Sequence, residues 1–193
     1  GAPAMFYENE QFPGLEPLAK NWRKVQDELA ALEDERYIPW PERALYDGEG
    51  WKVFGLYAFG SKMEENCRRC PQTAALVEAV PGMMTAGFSR LAANSHIKPH
   101  EGYAGYAGHF LRAHLGLQVP PDCEIRVGDE IRGWTPGGLM VFDDSTEHEA
   151  WNRSDATRVV LLLDFRNPFR DEDAPGAALT PEVLALLEKE GLT

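Results

Sequence analysis

The chain has 193 residues, 44% of them hydrophobic and 26% charged, with 19 basic against 31 acidic side chains for a net charge of −12. That length suits one domain with a substantial core, and the composition excludes a disordered or membrane class. The longest apolar run, residues 159–163, is too short to span a bilayer, and a charge of this sign, with no stretch that concentrates Lys and Arg, repels nucleic acid.

Three cysteines do not make a disulfide framework, and no apolar signal segment is seen, so a reducing cytoplasm is expected. Gly1-Ala2-Pro3-Ala4-Met5 reads as a remnant ahead of a native start, which leaves residues 6–193 as a single domain. The acidity reads as a solubility device rather than a docking surface for a basic peptide.

Leu15, Leu18, Trp22, Val25, Leu29 and Leu32 recur every three or four residues, which predicts one amphipathic helix. Residues 37–41, with two prolines, read as a loop, and Asp47-Gly48-Glu49-Gly50 as a turn. Residues 51–59 predict a strand buried on both faces, and residues 73–79 a short helix stopped by Pro81-Gly82. Cys67-Arg68-Arg69-Cys70 has metal or redox spacing, but with no second pair it is read as two free thiols flanking a loop.

From Thr85 the pattern turns to β. Short strands are predicted at 87–96, 110–119, 124–127, 130–134, 139–143 and 157–165, with turns at Gly128-Asp129 and Pro136-Gly137-Gly138. Many short strands covered by a helix argue for a jelly-roll sandwich. A C-terminal helix is expected at 181–192, capped by Thr180 with Pro181 in its first turn.

His100 and His148 each stand beside a strand-like segment, 48 residues apart, and Arg158 follows on an apolar strand. Imidazole is a common ligand for divalent iron, and the arginine adds an anion-binding group. Arg112 lies in the apolar run 110–117, where a buried charge needs an anionic partner. His96 and His109 are read as structural or solvent-facing, and Trp134 and Trp151 as core residues.

Pro99-His100-Glu101-Gly102, Arg112-Ala113-His114-Leu115-Gly116-Leu117 and the run from Phe142 to Trp151 with Arg158 come in one order at compatible spacing. Together they resemble the aspartyl/asparaginyl β-hydroxylase family of Fe(II)- and 2-oxoglutarate-dependent dioxygenases, over about residues 51–168. The resemblance implies a mainly β, double-stranded β-helix (jelly roll, cupin-like) with flanking N- and C-terminal helices. It implies His100 and His148 as iron ligands, with Arg158 and Ser89 on the distal carboxylate of 2-oxoglutarate. Arg112 and His114 would lie near the carboxylate beside the keto group. The wider superfamily places an acidic ligand two residues after the first histidine; here, as in the animal members of the family, that position is Gly102. Asp144 matches an aspartate that holds the water replacing the missing carboxylate, and Glu101 would point to the other face of its strand.

One departure concerns the substrate. Phe110 stands where the animal enzymes carry a basic residue that grips an acidic side chain, and the loop 101–109 is longer and carries Tyr103 and Tyr106. The expected activity is dioxygen-dependent hydroxylation of an aspartyl or asparaginyl residue, or of a related amino acid, peptide or small metabolite. Two alternatives remain at this point: a halogenase with chloride in the space left by Gly102, and a jelly-roll metal-binding module without chemistry.

Overall fold

The structure, a computed structural model, describes residues 5–102 and 108–170, with Ala185, Glu188 and Lys189 from the C-terminal stretch. Those last three are helical, but the rest of the expected helix at 181–192, and the loop residues Tyr103 and Tyr106, lie outside the described residues.

The N-terminal stripe is not one helix. After strand β1 (Phe6–Tyr7) and short 3-10 turns, helix α1 spans Glu16–Lys20 and α2 spans Trp22–Ala30. The break is at Asn21, whose Nδ2 donates to the Pro17 carbonyl at 2.7 Å. A short amide side chain that bonds its own backbone competes with the helix ladder in this way. Leu15, Leu18 and Val25 still point the same way, into the core.

The expected loop at 37–41 contains a two-residue strand, β2 (Ile38–Pro39), paired with β3 (Trp51–Ala58). Strand β3 alternates between buried and half-buried rather than being covered on both faces, because it lies near the edge of its sheet, flanked by β2 and β4 (Ser61–Lys62). Helices α3 (Glu64–Arg69) and α4 (Pro71–Glu78) follow, and the two thiols flank their junction. Cys67 and Cys70 are buried in the core, where burial pushes the Cys70 thiol up to about 12. They are protonated packing groups.

The expected strand 87–96 is two strands, β5 (Met83–Leu91) and β6 (Ser95–His100), separated by a turn with Asn94 at φ 54°. Here the chain crosses between sheets. Strands β7 (Phe110–Gln118), β8 (Cys123–Val127), β9 (Glu130–Gly133), β10 (Leu139–Phe142), β11 (His148–Asn152) and β12 (Arg158–Arg166) complete the fold.

An eight-stranded sheet runs β1-β10-β7-β12-β5-β3-β2 with β4 beside β3, and a four-stranded sheet runs β6-β11-β8-β9, all antiparallel. The large sheet packs its outer face on the helices through Leu111, Ala113, Leu115, Leu161 and Leu163. Its inner face meets the small sheet through Leu91, Phe142, Val160, Ile125 and Ala150. Two faced sheets with a helical cover form the expected jelly roll, and β7 and β12, buried on both sides, are its spine.

Candidate active site

Strand alternation decides which side chains enter the space between the sheets. Arg112 and His114 alternate with the helix-facing Leu111, Ala113 and Leu115 on β7, and Arg158 stands on β12. Ser89, His100, Arg112, His114, His148 and Arg158 all line one cleft there.

His148 on β11 stands directly opposite His100 on β6, yet two residues further along, Ala150 pairs with Ile97. Three steps on β6 therefore match two on β11, which is a β-bulge at Lys98-Pro99. The extra residue turns His100 onto the same inner face as Ile97. The two rings come within 4.3 Å, centroid to centroid. Each Nδ1 is 2.7 Å from the carbonyl two residues back, Lys98 for His100 and Thr146 for His148. A carbonyl only accepts, so Nδ1 carries the proton and Nε2 keeps its lone pair, as metal binding requires. Burial, with His148 as the next cause, lowers the His100 pKa to about 4.

Gly102 and Asp144 occupy each other's space. The Gly102 amide donates to the Asp144 carbonyl at 2.8 Å, and a Cβ on Gly102 would overlap Asp144 Oδ2 and stand 2.8 Å from its Cγ. Asp144 Oδ1 lies 3.1 Å from His148 Nε2 and 2.9 Å from Arg112 Nη1, but it is buried with no aligned donor. A neutral imidazole lone pair facing a carboxylate oxygen at that distance is repulsive unless a cation or a water proton stands between them. The donor set therefore fits a metal ion with a water beside it. Against the upward push of burial, the charges of Arg112 and His148 hold the Asp144 carboxyl below its usual range. Glu101 is exposed.

The anionic partner required for a buried Arg112 comes from the chain itself. Its Nε and Nη2 donate to the two oxygens of Asp164 at 2.7 and 2.8 Å, a bidentate fork across β7 and β12. Arg158 differs. It is 1% exposed, no carboxylate among the described residues pairs with it, and its Nε has no hydrogen-bond partner. Burial lowers its pKa to about 10. Its Nη2 reaches the carbonyl and hydroxyl oxygens of Ser89, both at 3.2 Å. Trp51 Nε1 donates to the same hydroxyl at 2.9 Å. With both lone pairs taken, the Ser89 O–H is free to donate into the cleft. An uncompensated guanidinium beside a spare hydroxyl donor fits a carboxylate guest.

All seven expected site residues fall in this region: six line the cleft and Asp144 abuts His148. Among the described residues no three His, Cys, Asp or Glu side chains group as a metal cluster, so a metal here rests on two imidazoles and non-protein ligands. Reading the sequence missed Asp164, Trp51 and Trp134. Asp164 had a signal, a lone acid in the apolar strand that carries Arg158. The tryptophans had none, since an indole that packs and an indole that donates look alike in a sequence.

A jelly roll with two converging imidazoles and a buried guanidinium facing its interior is a metal- and anion-binding barrel of the oxygenase kind. Solved structures share this fold. An oxidoreductase of the 2OG-Fe(II) oxygenase family from Burkholderia pseudomallei superposes with a TM-score of 0.55 at 13% identity, over 83% of this chain and 82% of that one. A prolyl-4-hydroxylase from Pseudomonas putida gives 0.50 at 16% identity, over 77% and 87%. Residues 19–168 match the aspartyl/asparaginyl β-hydroxylase family, and the chain belongs to it.

Among relatives, the ornithine lipid ester-linked acyl 2-hydroxylase of Rhizobium tropici is 37% identical over 175 residues, 85% of this chain and 61% of that protein. The human aspartyl/asparaginyl β-hydroxylase is 32% identical over 165 residues, 80% of this chain and 21% of that protein. The chain thus spans less than two thirds of either relative. Among the described residues no helix is long and apolar enough to cross a membrane.

Proposed function

We propose that the protein is a 2-oxoglutarate-dependent dioxygenase that hydroxylates a C–H bond. The observation that carries this reading is Arg158, a buried guanidinium without a carboxylate partner in the cleft that His100 and His148 share. His100 Nε2 and His148 Nε2 would hold Fe(II). When bound, Fe(II), 2-oxoglutarate and dioxygen together supply the oxidising equivalents that place one oxygen atom on substrate carbon and release succinate and carbon dioxide.

The chain's own part is binding and orientation. Arg158 and the free Ser89 O–H neutralise and fix the distal carboxylate, which is matched to a planar fork that does not lose its charge. Arg112, already held by Asp164, and His114 set the electrostatics around the carboxylate beside the keto group. Asp144 Oδ1, an acceptor lacking a donor, takes a proton from the water that replaces a third protein ligand. The dry inner cleft strengthens each of these contacts.

For the substrate, the family points to an aspartyl or asparaginyl residue, or a related amino acid, peptide or metabolite. A second reading is an acyl chain. It is favoured by Phe110, buried on the strand face of Arg112 and two residues outward from it, and by the relative that hydroxylates an ester-linked acyl group. The halogenase alternative loses support from Asp144, whose carboxylate fills the space beside Gly102 and opposes a halide there. Succinate release by the Fe(II)-loaded protein in air, with pools of amino acids, aspartyl and asparaginyl peptides, and acyl lipids, tests the proposal. Substrate-stimulated succinate that disappears in His100→Ala and His148→Ala is expected; turnover retained by both variants would sink it.

A further inference from the structure

Trp134 follows β9 and was expected to be a core residue. It is buried, but its ring does two things at the anion-binding end of the cleft. Its Nε1 donates to His114 Nδ1 at 3.1 Å. Its face lies under the Arg158 guanidinium, with Cζ 4.6 Å from the ring centroid. An indole N–H only donates, so His114 Nδ1 must be the unprotonated nitrogen. The His114 ring lines the cleft, and its remaining N–H, on Nε2, is then its donor to a guest there.

The loop that carries Trp134 is itself locked to β7. Gly116, two residues from His114, donates to the Gly138 carbonyl at 3.0 Å and accepts from the Gly137 amide at 2.8 Å. A Cβ on Gly116 would overlap the Thr135 carbonyl. The glycine of the Arg112-to-Leu117 motif therefore lets the turn after Trp134 press against the strand that bears His114. Burial, then the charges of Arg158 and Arg112, keep the His114 imidazole neutral, so a fixed tautomer is meaningful.

We propose that Trp134 is a positioning residue that sets the His114 tautomer and braces Arg158, so that this end of the cleft presents only hydrogen-bond donors. The identity of the guest, 2-oxoglutarate, rests on the function proposed above; the tautomer does not. Trp134→Phe keeps a ring beneath Arg158 and removes the N–H.

The test is imidazole nitrogen NMR on histidine-labelled, metal-free protein, with the His114 signals assigned by their loss in His114→Gln. It is paired with 2-oxoglutarate binding to the manganese(II)-loaded protein and with thermal unfolding as a folding control. Wild type is expected to show His114 protonated only on Nε2. Trp134→Phe is expected to show a mixture of tautomers and roughly tenfold weaker 2-oxoglutarate binding, with manganese affinity unchanged. In a His114→Gln background the same substitution should weaken binding by less than about twofold, because it acts through His114. A wild-type His114 protonated on Nδ1, or an unchanged tautomer in a folded Trp134→Phe, overturns the inference. The expected tautomers in a protein that binds no 2-oxoglutarate support it and sink the cosubstrate reading instead.

Discussion

Asp144 fills the space into which any side chain at Gly102 would have to grow, with its Cγ 2.8 Å from the position of a Gly102 Cβ. The glycine is thus a packing requirement as well as a missing ligand. Gly102→Ala is expected to displace the Asp144 carboxylate and destabilise the fold by about 1–3 kcal/mol, the usual cost of overpacking. Asp144→Ala in the same chain should recover most of that loss. Urea unfolding of the two single variants and the double variant measures the coupling, and purely additive effects would show that the residues do not compete for one space.

Arg158 costs the guest-free protein stability, since a charge is buried there without a counter-charge. Arg158→Met, of similar length and apolar, is expected to raise the urea midpoint of the metal-free protein while abolishing 2-oxoglutarate binding. A midpoint that falls along with binding would instead make the arginine a structural support.

Asp164 is fully buried and holds Arg112 by two hydrogen bonds. Removing one partner of a buried ion pair leaves the other unpaired, at a cost of about 3–5 kcal/mol. Asp164→Ala should lose that much in chemical denaturation. Replacing both partners, Arg112→Met with Asp164→Leu, should be far closer to wild type in stability and inactive in succinate release.

His114 makes the fold acid-sensitive. Its folded pKa lies well below the ordinary 6.5, first through burial and then through Arg158 and Arg112. In the unfolded chain the ring takes up a proton below its ordinary pKa, so unfolding binds the proton that the native state refuses. This contribution is complete above pH 6.5 and shrinks as pH falls beneath it, by about 1.4 kcal/mol per pH unit. Unfolding of the metal-free protein from about pH 7 to about pH 5.5 should show that slope reduced by the same amount in His114→Gln.

Much of the site was legible before the structure because it follows period two. Arg112 and His114 sit two apart on one strand, and His148 and Arg158 begin two others, so composition and spacing carried them. The exception is His100: only a bulge turns it inward, and nothing in Lys98-Pro99 announces which way the extra residue faces. The N-terminal stripe gave the buried face correctly but hid the break at Asn21, where a local side-chain bond overrides periodicity. The crossing at residues 92–94 was invisible for a related reason. Strand-forming residues continue through it, and only the left-handed Asn94 marks the change of sheet. Trp134 was read by its bulk, and its hydrogen bond depends on a loop whose placement is tertiary.

Strand β12 bears Arg158 at its start and Asp164 six residues on, and both are almost fully buried. Since side chains alternate, a single inserted or deleted residue between them would swing one of the two to the helix side while leaving the other in place. Anion capture and the anchoring of Arg112 are therefore bound to the same length of backbone, and this strand can change its residues but not its count. Room for new specificity lies instead at the outer end of β7, at Phe110, where a substitution alters what enters without disturbing that spacing.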